Sequence, residues 1–285
     1  MKPILIVCLW LASVALRAEE EIAILQLQTN SSSLQLTLTV QGETDSDTQR
    51  LSGTIRLAVD CAAPLAAASL RDFHVRAVTN FNLHLDYGFL GDLSGTLSEL
   101  EIRHGDPGPH QPYTPAVGGS ITFRDVPNAL DGSAMYVASG LPCVLIQGAG
   151  RPCTDTILLA SQPTSPIRAL SGTLTLTNGV LRFVGSFDFG PLTIVEGATL
   201  SGVGTVTARG VVQPCLRIER ALDEHRVSYS SAFRDFQLQR TASLSTPVVW
   251  EAAVPKASVD DGTTVTATFQ TLPNSMAFYR LELRR

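Results

Sequence analysis

Two glutamates separated by one residue are the pair in this sequence best suited to acid–base chemistry. Glu99 and Glu101 belong to the run ELEIRH, residues 99–104. Polar and apolar residues alternate along this run, which predicts a β-strand with both carboxylates on one face. Two carboxyl groups about 5–5.5 Å apart are what a retaining glycoside hydrolase uses. The alternative is a solvated strand face, where charged residues are ordinarily found.

The same run is similar to the Glu-x-Asp-x-x-Glu motif of jelly-roll glucanases, which implies an enzyme acting on polysaccharide. Two positions of the motif differ, because Glu101 stands where Asp is usual and His104 where the second Glu is usual. Other enzyme motifs are missing from the sequence. It has no Gly-x-Ser-x-Gly elbow, and its glycine pair at 202 and 204 lies in a predicted strand rather than at a helix N-terminus. We therefore expect no cofactor, and the balance favours a non-catalytic protein.

Three residues in and beside a proline-rich segment offer the ligand types of a transition-metal site. His104, Asp106 and His110 supply two imidazoles and one carboxylate within seven residues, a set that such metals accept. The segment HGDPGPHQPYTPAVGG, residues 104–119, contains four prolines and four glycines and predicts a long loop. The competing interpretation is that an exposed loop collects polar residues without binding a metal.

Two acidic groups are interpreted as turns. Asp45 and Asp47, and the run Asp260-Asp261-Gly262, are rich in carboxylate oxygens. Neither group has the ligand spacing of an EF-hand calcium loop. Aspartate side chains commonly accept hydrogen bonds from nearby backbone amides in turns. We therefore predict turns at both places rather than calcium sites.

The chain starts with a segment typical of an export signal. Lys2 is followed by an apolar run to Leu16, and Ala18 precedes three glutamates. The apolar run is shorter than the ~18–20 residues of a membrane anchor, and a small residue suits cleavage after Ala18. We predict a signal peptide over residues 1–18 and a secreted or periplasmic protein. A retained membrane anchor is the alternative.

The mature chain is acidic. Removal of residues 1–18 takes away Lys2 and Arg17, which leaves 19 basic residues against 26 acidic ones and a net charge of −7. This balance argues against nucleic acid as a partner, because such binding depends on a basic surface. No later stretch of 18 apolar residues occurs, so we expect no transmembrane segment after cleavage. The sequence does not identify the partner; carbohydrate and another envelope protein are the candidates.

An even number of cysteines in an exported chain predicts two disulfides. The cysteines after residue 18 are Cys61, Cys143, Cys153 and Cys215. Glycines and a proline between Cys143 and Cys153 let the chain double back, so we favour that pair, and Cys61 with Cys215 follows by elimination. A metal site is the alternative, but the sequence has no CxxC and no histidine near the close pair.

Period-two alternation dominates residues 22–212 and predicts an all-β fold. In residues 34–40 and 81–87 every second side chain is apolar. Similar runs occur at residues 54–59, 73–78, 97–102, 120–123, 156–159, 173–177, 180–189, 192–195 and 202–208. One short helix is predicted over residues 63–70. We predict an antiparallel β-sandwich or barrel over residues 19–212.

A short phrase recurs ahead of several alternating runs. Leu-Ser-Gly-Thr stands at residues 51–54, 93–96 and 170–173, with a looser copy at 200–205. Glycine in such a position predicts a tight turn or bulge that starts a Thr-rich strand. The copies do not follow one constant period, which favours repeated hairpins over a solenoid.

Residues 213–285 resemble the small β-module that ends many secreted proteins of environmental Gram-negative bacteria. The resemblance is carried in order by PCLRI at 214–218, a strand ending near Tyr229, FQLQRTASL at 236–244 followed by Trp250, and FYRL at 278–281. It implies a fibronectin-type-III-like sandwich with an accessory or anchoring role and no catalytic residue. Tryptophan is common in the family where Tyr229 stands here. Six alternating runs agree with such a module; they lie at 216–220, 226–230, 235–241, 248–254, 263–270 and 277–283.

The core of this module is predicted from its last strand. Alternation places either Tyr279 and Leu281 or Phe278 and Arg280 toward the core, and the charge of Arg280 favours the first pair. We expect Trp250 to pack with Tyr279 and Leu281 at the hydrophobic centre. Together, the patterns predict a secreted, non-catalytic protein that acts in binding or scaffolding. The alternatives are a polysaccharide hydrolase and a β-barrel carrier of an apolar ligand.

Overall fold

The computed structural model describes residues 20–60, 64–104, 112–161, 167–195, 197–221, 223–270 and 277–283. The predicted signal peptide lies outside these residues. Strands make up 69% of the structure, with one α-helix in the described part, so the predicted all-β fold is confirmed.

Thirteen strands form one antiparallel sheet. They are β1 (Glu20–Leu27), β2 (Ser33–Val40), β3 (Glu43–Asp60), β4 (Ala67–Ala77), β5 (Phe81–Asp86), β6 (Asp92–His104), β7 (Thr114–Pro115), β8 (Ser120–Val126), β9 (Asn128–Ala138), β10 (Thr154–Leu158), β11 (Ile167–Thr177), β12 (Val180–Val195) and β13 (Ala198–Val211). Helix α1 (Gly140–Gly148) connects β9 to β10. The main path of hydrogen-bonded neighbours is β10-β9-β6-β4-β3-β1-β13-β12-β11-β8. Each alternating run predicted between residues 34 and 208 overlaps one of these strands.

Strands β1 and β2 lie end to end between the long strands β3 and β13. β1 pairs with the second half of β3, and β2 pairs with the first half. At the junction Ser32 is buried, and its hydroxyl accepts a hydrogen bond from the Thr207 amide at 3.0 Å and donates one to the Thr207 carbonyl at 3.3 Å. The serine therefore satisfies the backbone groups of β13 where the ladder is interrupted.

A second junction joins β5 to β3 through side chains. The Asp47 carboxylate accepts a hydrogen bond from the Asn82 amide at 2.8 Å, and the Asp45 carboxylate accepts one from the His84 amide at 2.7 Å. Both aspartates lie within β3, so the predicted turn at this place is wrong. The chain continues as a strand because each carboxylate takes the role that a backbone carbonyl has in an ordinary ladder.

The sheet folds back over itself around one main core. Phe73 of β4 meets Phe187 of β12 edge to face, with ring centroids 5.2 Å apart, and both rings are buried. Inward residues alternate with outward ones, as in β5, where Phe81, Leu83 and Leu85 are buried. This alternation produces one dry and one wet face for the sheet.

The recurrent Leu-Ser-Gly-Thr phrases lie inside strands β3, β6, β11 and β13, not at turns that start them. In the looser copy, Gly202 and Gly204 sit directly opposite Phe189 and Phe187. The rings occupy the space that a side chain on either glycine would need. The glycines of β13 are therefore explained by close approach of aromatic rings from β12, which sequence spacing alone did not reveal.

The helix predicted over residues 63–70 is wrong. Residues 64–66 form a turn and β4 begins at Ala67. Ala68 and Leu70 are buried in the sheet, so tertiary burial overrides the helical preference of an alanine-rich segment. The α-helix of the described residues is α1, which connects β9 to β10.

Seven further strands follow residue 213 and form two small sheets. β14 (Arg217–Ala221), β15 (Glu224–Ser230), β19 (Thr264–Gln270) and β18 (Ala257–Asp260) form one, in the order β14-β15-β19-β18. β17 (Glu251–Ala252), β16 (Phe236–Thr241) and β20 (Phe278–Leu283) form the other, in that order. β18 was not predicted, and the strand predicted over 248–254 is reduced to two residues. The described strands show no recognisable fibronectin-type-III-like module.

The C-terminal strands have a small core of their own and also contribute to the main one. Val227 and Phe269 are buried in the small core, and Tyr279 and Leu281 pack against it as predicted. Phe233 is fully buried in the main core. The proposed division at 212/213 therefore separates sheets, but not hydrophobic clusters.

Trp250 does not lie at the hydrophobic centre of these strands, contrary to the prediction. It is partly buried, and the Arg280 guanidinium lies 4.5 Å from the centre of its ring. Alternation along β20 puts Arg280 on the face opposite Tyr279 and Leu281, and Trp250 covers that outer face. A cation stacked on an indole explains how the arginine is accommodated.

Candidate functional site

The two glutamates proposed for catalysis lie at a β-bulge. The pairing of β6 with β9 shifts between Ser98 and Glu101, and Glu99 has φ +54°. Regular alternation is therefore interrupted between the two carboxylates. Glu101 faces His74, whose Nε2 lies 3.3 Å from its Oε2, and Arg76, whose Nε lies 4.0 Å from Oε1. The carboxylate is thus engaged by two side chains of β4 on the outer face of the sheet.

The proposed metal ligands are only partly described. His104 ends β6, whereas Asp106 and His110 lie outside the described residues. Among the residues that the structure describes, no group of three or more His, Cys, Asp or Glu side chains is arranged to hold a metal ion.

The acidic run at 260–262 forms a turn, as predicted. Asp261 Oδ1 accepts hydrogen bonds from the amides of Thr263 and Thr264 at 2.8 and 2.7 Å. Asp260 Oδ1 accepts one from the Ser231 hydroxyl at 2.6 Å and one from the Gly262 amide at 2.9 Å. These hydrogen bonds hold the pKa of each aspartate below its usual value. The bond from Ser231 contributes most for Asp260, and the bond from Thr264 contributes most for Asp261.

The disulfide Cys143–Cys153 is present and ties helix α1 to the segment that enters β10. The two Cα atoms are 4.9 Å apart. Cys215 is also disulfide-bonded, while its predicted partner Cys61 lies outside the described residues. The first disulfide matters most for a site, because α1 covers two adjoining cavities.

A narrow cavity of about 60 Å³ lies beneath α1, between two parts of the folded sheet. Its walls come from β2, β5, β6, β9, β10, β13 and α1; they comprise Leu38, Leu83, Leu93, Gly95, Leu97, Ala134, Met135, Tyr136, Ile146, Ile157, Ala198 and Leu200. Nearly all of these side chains are aliphatic. A space of this kind has few partners for water, so it favours an apolar occupant.

A wider cavity of about 370 Å³ adjoins the narrow one, and both are partly open to solvent. Leu93, Ile146 and Ala198 line both cavities and so mark where the two adjoin; we refer to these three residues as the neck. The wide part has one wall from α1 and another from the β2–β3 turn; its remaining lining residues are Val40, Gln41, Glu43, Tyr87, Leu141, Pro142, Leu145, Ala149 and Arg151. This volume falls within the range of small-molecule sites. We refer to the two adjoining spaces together as the α1 cavity.

Glycine backbones position α1 over this cavity. Gly140 has φ +57° and Gly91 has φ +112°, and the two residues pack directly against each other. Any side chain at either position would meet backbone atoms of the other segment. Asp92 reinforces the contact, since its amide donates to the Ser139 hydroxyl at 3.1 Å and that hydroxyl donates to its carboxylate. The start of α1 is therefore held against the turn before β6.

Two tyrosines in the walls are held by backbone carbonyls. The Tyr87 hydroxyl donates to the Val40 carbonyl at 3.0 Å, and the Tyr136 hydroxyl donates to the Pro152 carbonyl at 3.0 Å. Burial raises the pKa of both, helped by the carboxylates of Glu43 and Asp155 respectively. Both side chains therefore stay neutral at physiological pH and act as rigid wall elements.

Two short segments beside the opening are apolar and carry no charged side chain. The turn Gly88–Leu90 exposes Phe89, which is 97% accessible, and Leu90. Helix α1 exposes Leu141, Val144 and Leu145. Large exposed apolar side chains clustered near a cavity are typical of binding regions.

Sequence reasoning missed this site. The segment GLPCVLIQG is apolar on all sides and too short to show a helical period, so the sequence predicts only the closure of a disulfide loop there. One signal was available, namely an uninterrupted apolar run at residues 140–146 in a chain where most apolar residues alternate with polar ones. No pattern in the sequence indicates that this run faces Ala198, which follows it by some fifty residues.

Comparisons with known proteins give no match: no family model, curated protein or solved structure is similar to the chain. In the described residues no helix has the length and apolar character to cross a bilayer.

Proposed function

We propose that this protein is a non-catalytic binding protein that holds an apolar ligand in the α1 cavity. The observation that carries the proposal is a pair of adjoining cavities beneath a single helix, one narrow and aliphatic, the other large enough for a small molecule. A ligand with an apolar chain suits such a shape, because the wide part holds most of the chain while its end fills the narrow part. Removing that chain from water supplies the binding free energy.

The covering helix supports the proposal. Two of its exposed residues, Leu141 and Leu145, also line the cavity wall. A helix that presents apolar side chains to both cavity and solvent is a suitable cover for a site that an apolar molecule enters. The disulfide from Cys143 keeps that cover attached to β10 while the rest of the helix adjusts.

We further propose that the protein works outside the cytoplasm, secreted or in the periplasm. Disulfides persist in oxidising compartments and are rare in the cytosol, and the Cys143–Cys153 bond agrees with such a location. The apolar segment at residues 3–16, predicted as part of a signal peptide, supports the same assignment.

The test is binding of N-phenyl-1-naphthylamine, an uncharged dye whose fluorescence rises in apolar surroundings. We expect saturable binding by the wild-type protein and a loss of about tenfold or more in affinity for Ala198→Phe, because the ring fills the neck. Val203→Phe is the matched control, since Val203 lies on the same strand but is exposed. If Ala198→Phe does not fold, Ala198→Leu replaces it. Equal dye binding by folded Ala198 and Val203 variants would reject the α1 cavity as the site.

A further inference from the structure

We infer that the α1 cavity selects a single-chain amphiphile with an anionic headgroup, which Arg151 binds at the opening. The inference rests on the proposed function and adds the chemical class of the ligand. Arg151 is the one basic residue among the side chains that line the wide part of the cavity. Its side chain is 39% accessible, so it reaches both the cavity and solvent.

The backbone around Arg151 is firmly positioned. The Arg151 amide donates to the Ile146 carbonyl at 3.1 Å, which ends α1. The next residue, Pro152, accepts a hydrogen bond from Tyr136, and Cys153 is bound to Cys143. The backbone from which the Arg151 side chain extends is therefore fixed relative to the cavity wall.

The guanidinium retains donors for a ligand. Its nearest carboxylate is that of Asp155, whose Oδ2 lies 3.9 Å from Nη1, longer than a hydrogen bond. Arginine has five N–H donors in a planar fork that matches a carboxylate or a phosphate. A partly exposed ion pair of this length is weak, so a ligand anion competes with Asp155 at small cost.

Glu43 lies on another wall of the wide part and brings a negative charge to the same space as Arg151. It is an exposed residue at the start of β3 and also lines the wide part of the cavity. An anionic headgroup is repelled by Glu43 and attracted by Arg151, whereas a cationic headgroup would respond in the opposite way. We assign the anion because the Glu43 carboxylate is the more exposed of the two charges and is therefore better screened by water.

The experiment compares dodecyl compounds that differ only in the headgroup, each used below its micelle-forming concentration. Laurate, dodecanol, dodecylphosphocholine and dodecyltrimethylammonium displace N-phenyl-1-naphthylamine from the full-length protein. We expect laurate to bind most tightly. Arg151→Gln weakens laurate binding about tenfold and leaves dodecanol unchanged, since only the anion uses the guanidinium. Glu43→Gln strengthens laurate binding severalfold because the like charge is removed.

The matched control is Arg103→Gln. Arg103 makes a similar surface ion pair, 3.5 Å from Asp131, but lies outside the cavity. The inference is overturned if laurate and dodecanol bind equally to wild type and to Arg151→Gln, or if the zwitterionic or cationic compound binds better than laurate. In either case the proposed function stands, because a dodecyl chain still displaces the dye. Failure of all four compounds and of the dye to bind would instead reject the proposed function.

Discussion

Phe187 of β12 lies across the backbone of its direct partner Gly204 on β13. The same ring meets Phe73 from the opposite part of the sheet. Gly204 therefore has a packing role: it makes room for an aromatic ring at the centre of the main core. Replacement of a strand glycine is ordinarily tolerated or favourable, but not where a ring already fills the space.

We expect Gly204→Ala to destabilise the protein by about 1–3 kcal/mol, because the new methyl group forces Phe187 out of its position. Urea denaturation with the extrapolated free energy of unfolding measures the change. The matched control is Gly95→Ala, where the nearest atom to an added methyl group is the Met135 carbonyl oxygen at 4.0 Å. Equal stability of the two variants would show that the ring yields without cost.

Asp47 is expected to make the junction of β3 and β5 sensitive to acid. Burial alone would raise the pKa of Asp47, but hydrogen bonds from Asn82, Gln49 and Thr48 together lower it from the usual 3.8. A carboxyl group whose pKa is lowered on folding contributes stability that is complete above the unfolded pKa. This contribution is lost as the pH falls through the folded pKa.

Asp47→Asn should therefore cost about 1 kcal/mol at pH 7, where the charged hydrogen bonds are lost. The difference from wild type should shrink as the pH falls from 5 to 3. The measurement is the free energy of unfolding across this pH range. Asp131→Asn is the control and should change stability little, because it removes only a surface ion pair with Arg103 and keeps an oxygen that accepts the Gly132 amide. A constant difference at all pH values would contradict the assignment.

The Cys143–Cys153 disulfide is expected to hold the cover of the α1 cavity in place. The double variant Cys143→Ala, Cys153→Ala should lose about 2–3 kcal/mol, as expected for a short disulfide loop. Hydrogen exchange of the amides in α1 should accelerate more than exchange in β12, which lies far from the bond in the sheet order. Uniform acceleration in both segments would mean that the bond supports the whole fold and not the helix.

Trp250 and Arg280 should form a modest surface pair. We expect Trp250→Ala to cost about 1–2 kcal/mol, less than loss of a buried tryptophan, because the ring covers Arg280 at the outer face. A double-mutant cycle with Arg280→Met isolates the pair, with an expected coupling of about 0.5–1 kcal/mol. A coupling of zero would show that the indole packs on the strand and not on the charge.

Phe233 is expected to couple the unfolding of the C-terminal strands to the unfolding of the main core. It is fully buried in the main cluster, so Phe233→Ala is expected to cost about 3–5 kcal/mol. We expect calorimetry of the wild-type protein to show a single cooperative transition, which this substitution lowers as a whole. Two separate transitions in the wild-type protein, with only the smaller one shifted by the substitution, would instead support an independent unit after residue 212.

The sequence by itself determined the all-β class, the approximate position of most strands and the pairing of Cys143 with Cys153. These features depend on neighbours in the chain: alternation with period two marks which side chains face inward, and a short loop brings two cysteines together. The choice of Tyr279 and Leu281 as inward residues succeeded for the same reason, since alternation and the charge of Arg280 are local facts.

Only the tertiary structure decided the features that depend on distant segments. Asp47 was interpreted as a turn residue because its partner Asn82 lies on a strand 35 residues away. The role of Gly204 depends on the Phe187 ring of the neighbouring strand, and the position of Trp250 depends on Arg280. The α1 cavity depends on seven strands and a helix at once, and no local period encodes which apolar residues will meet across a folded sheet.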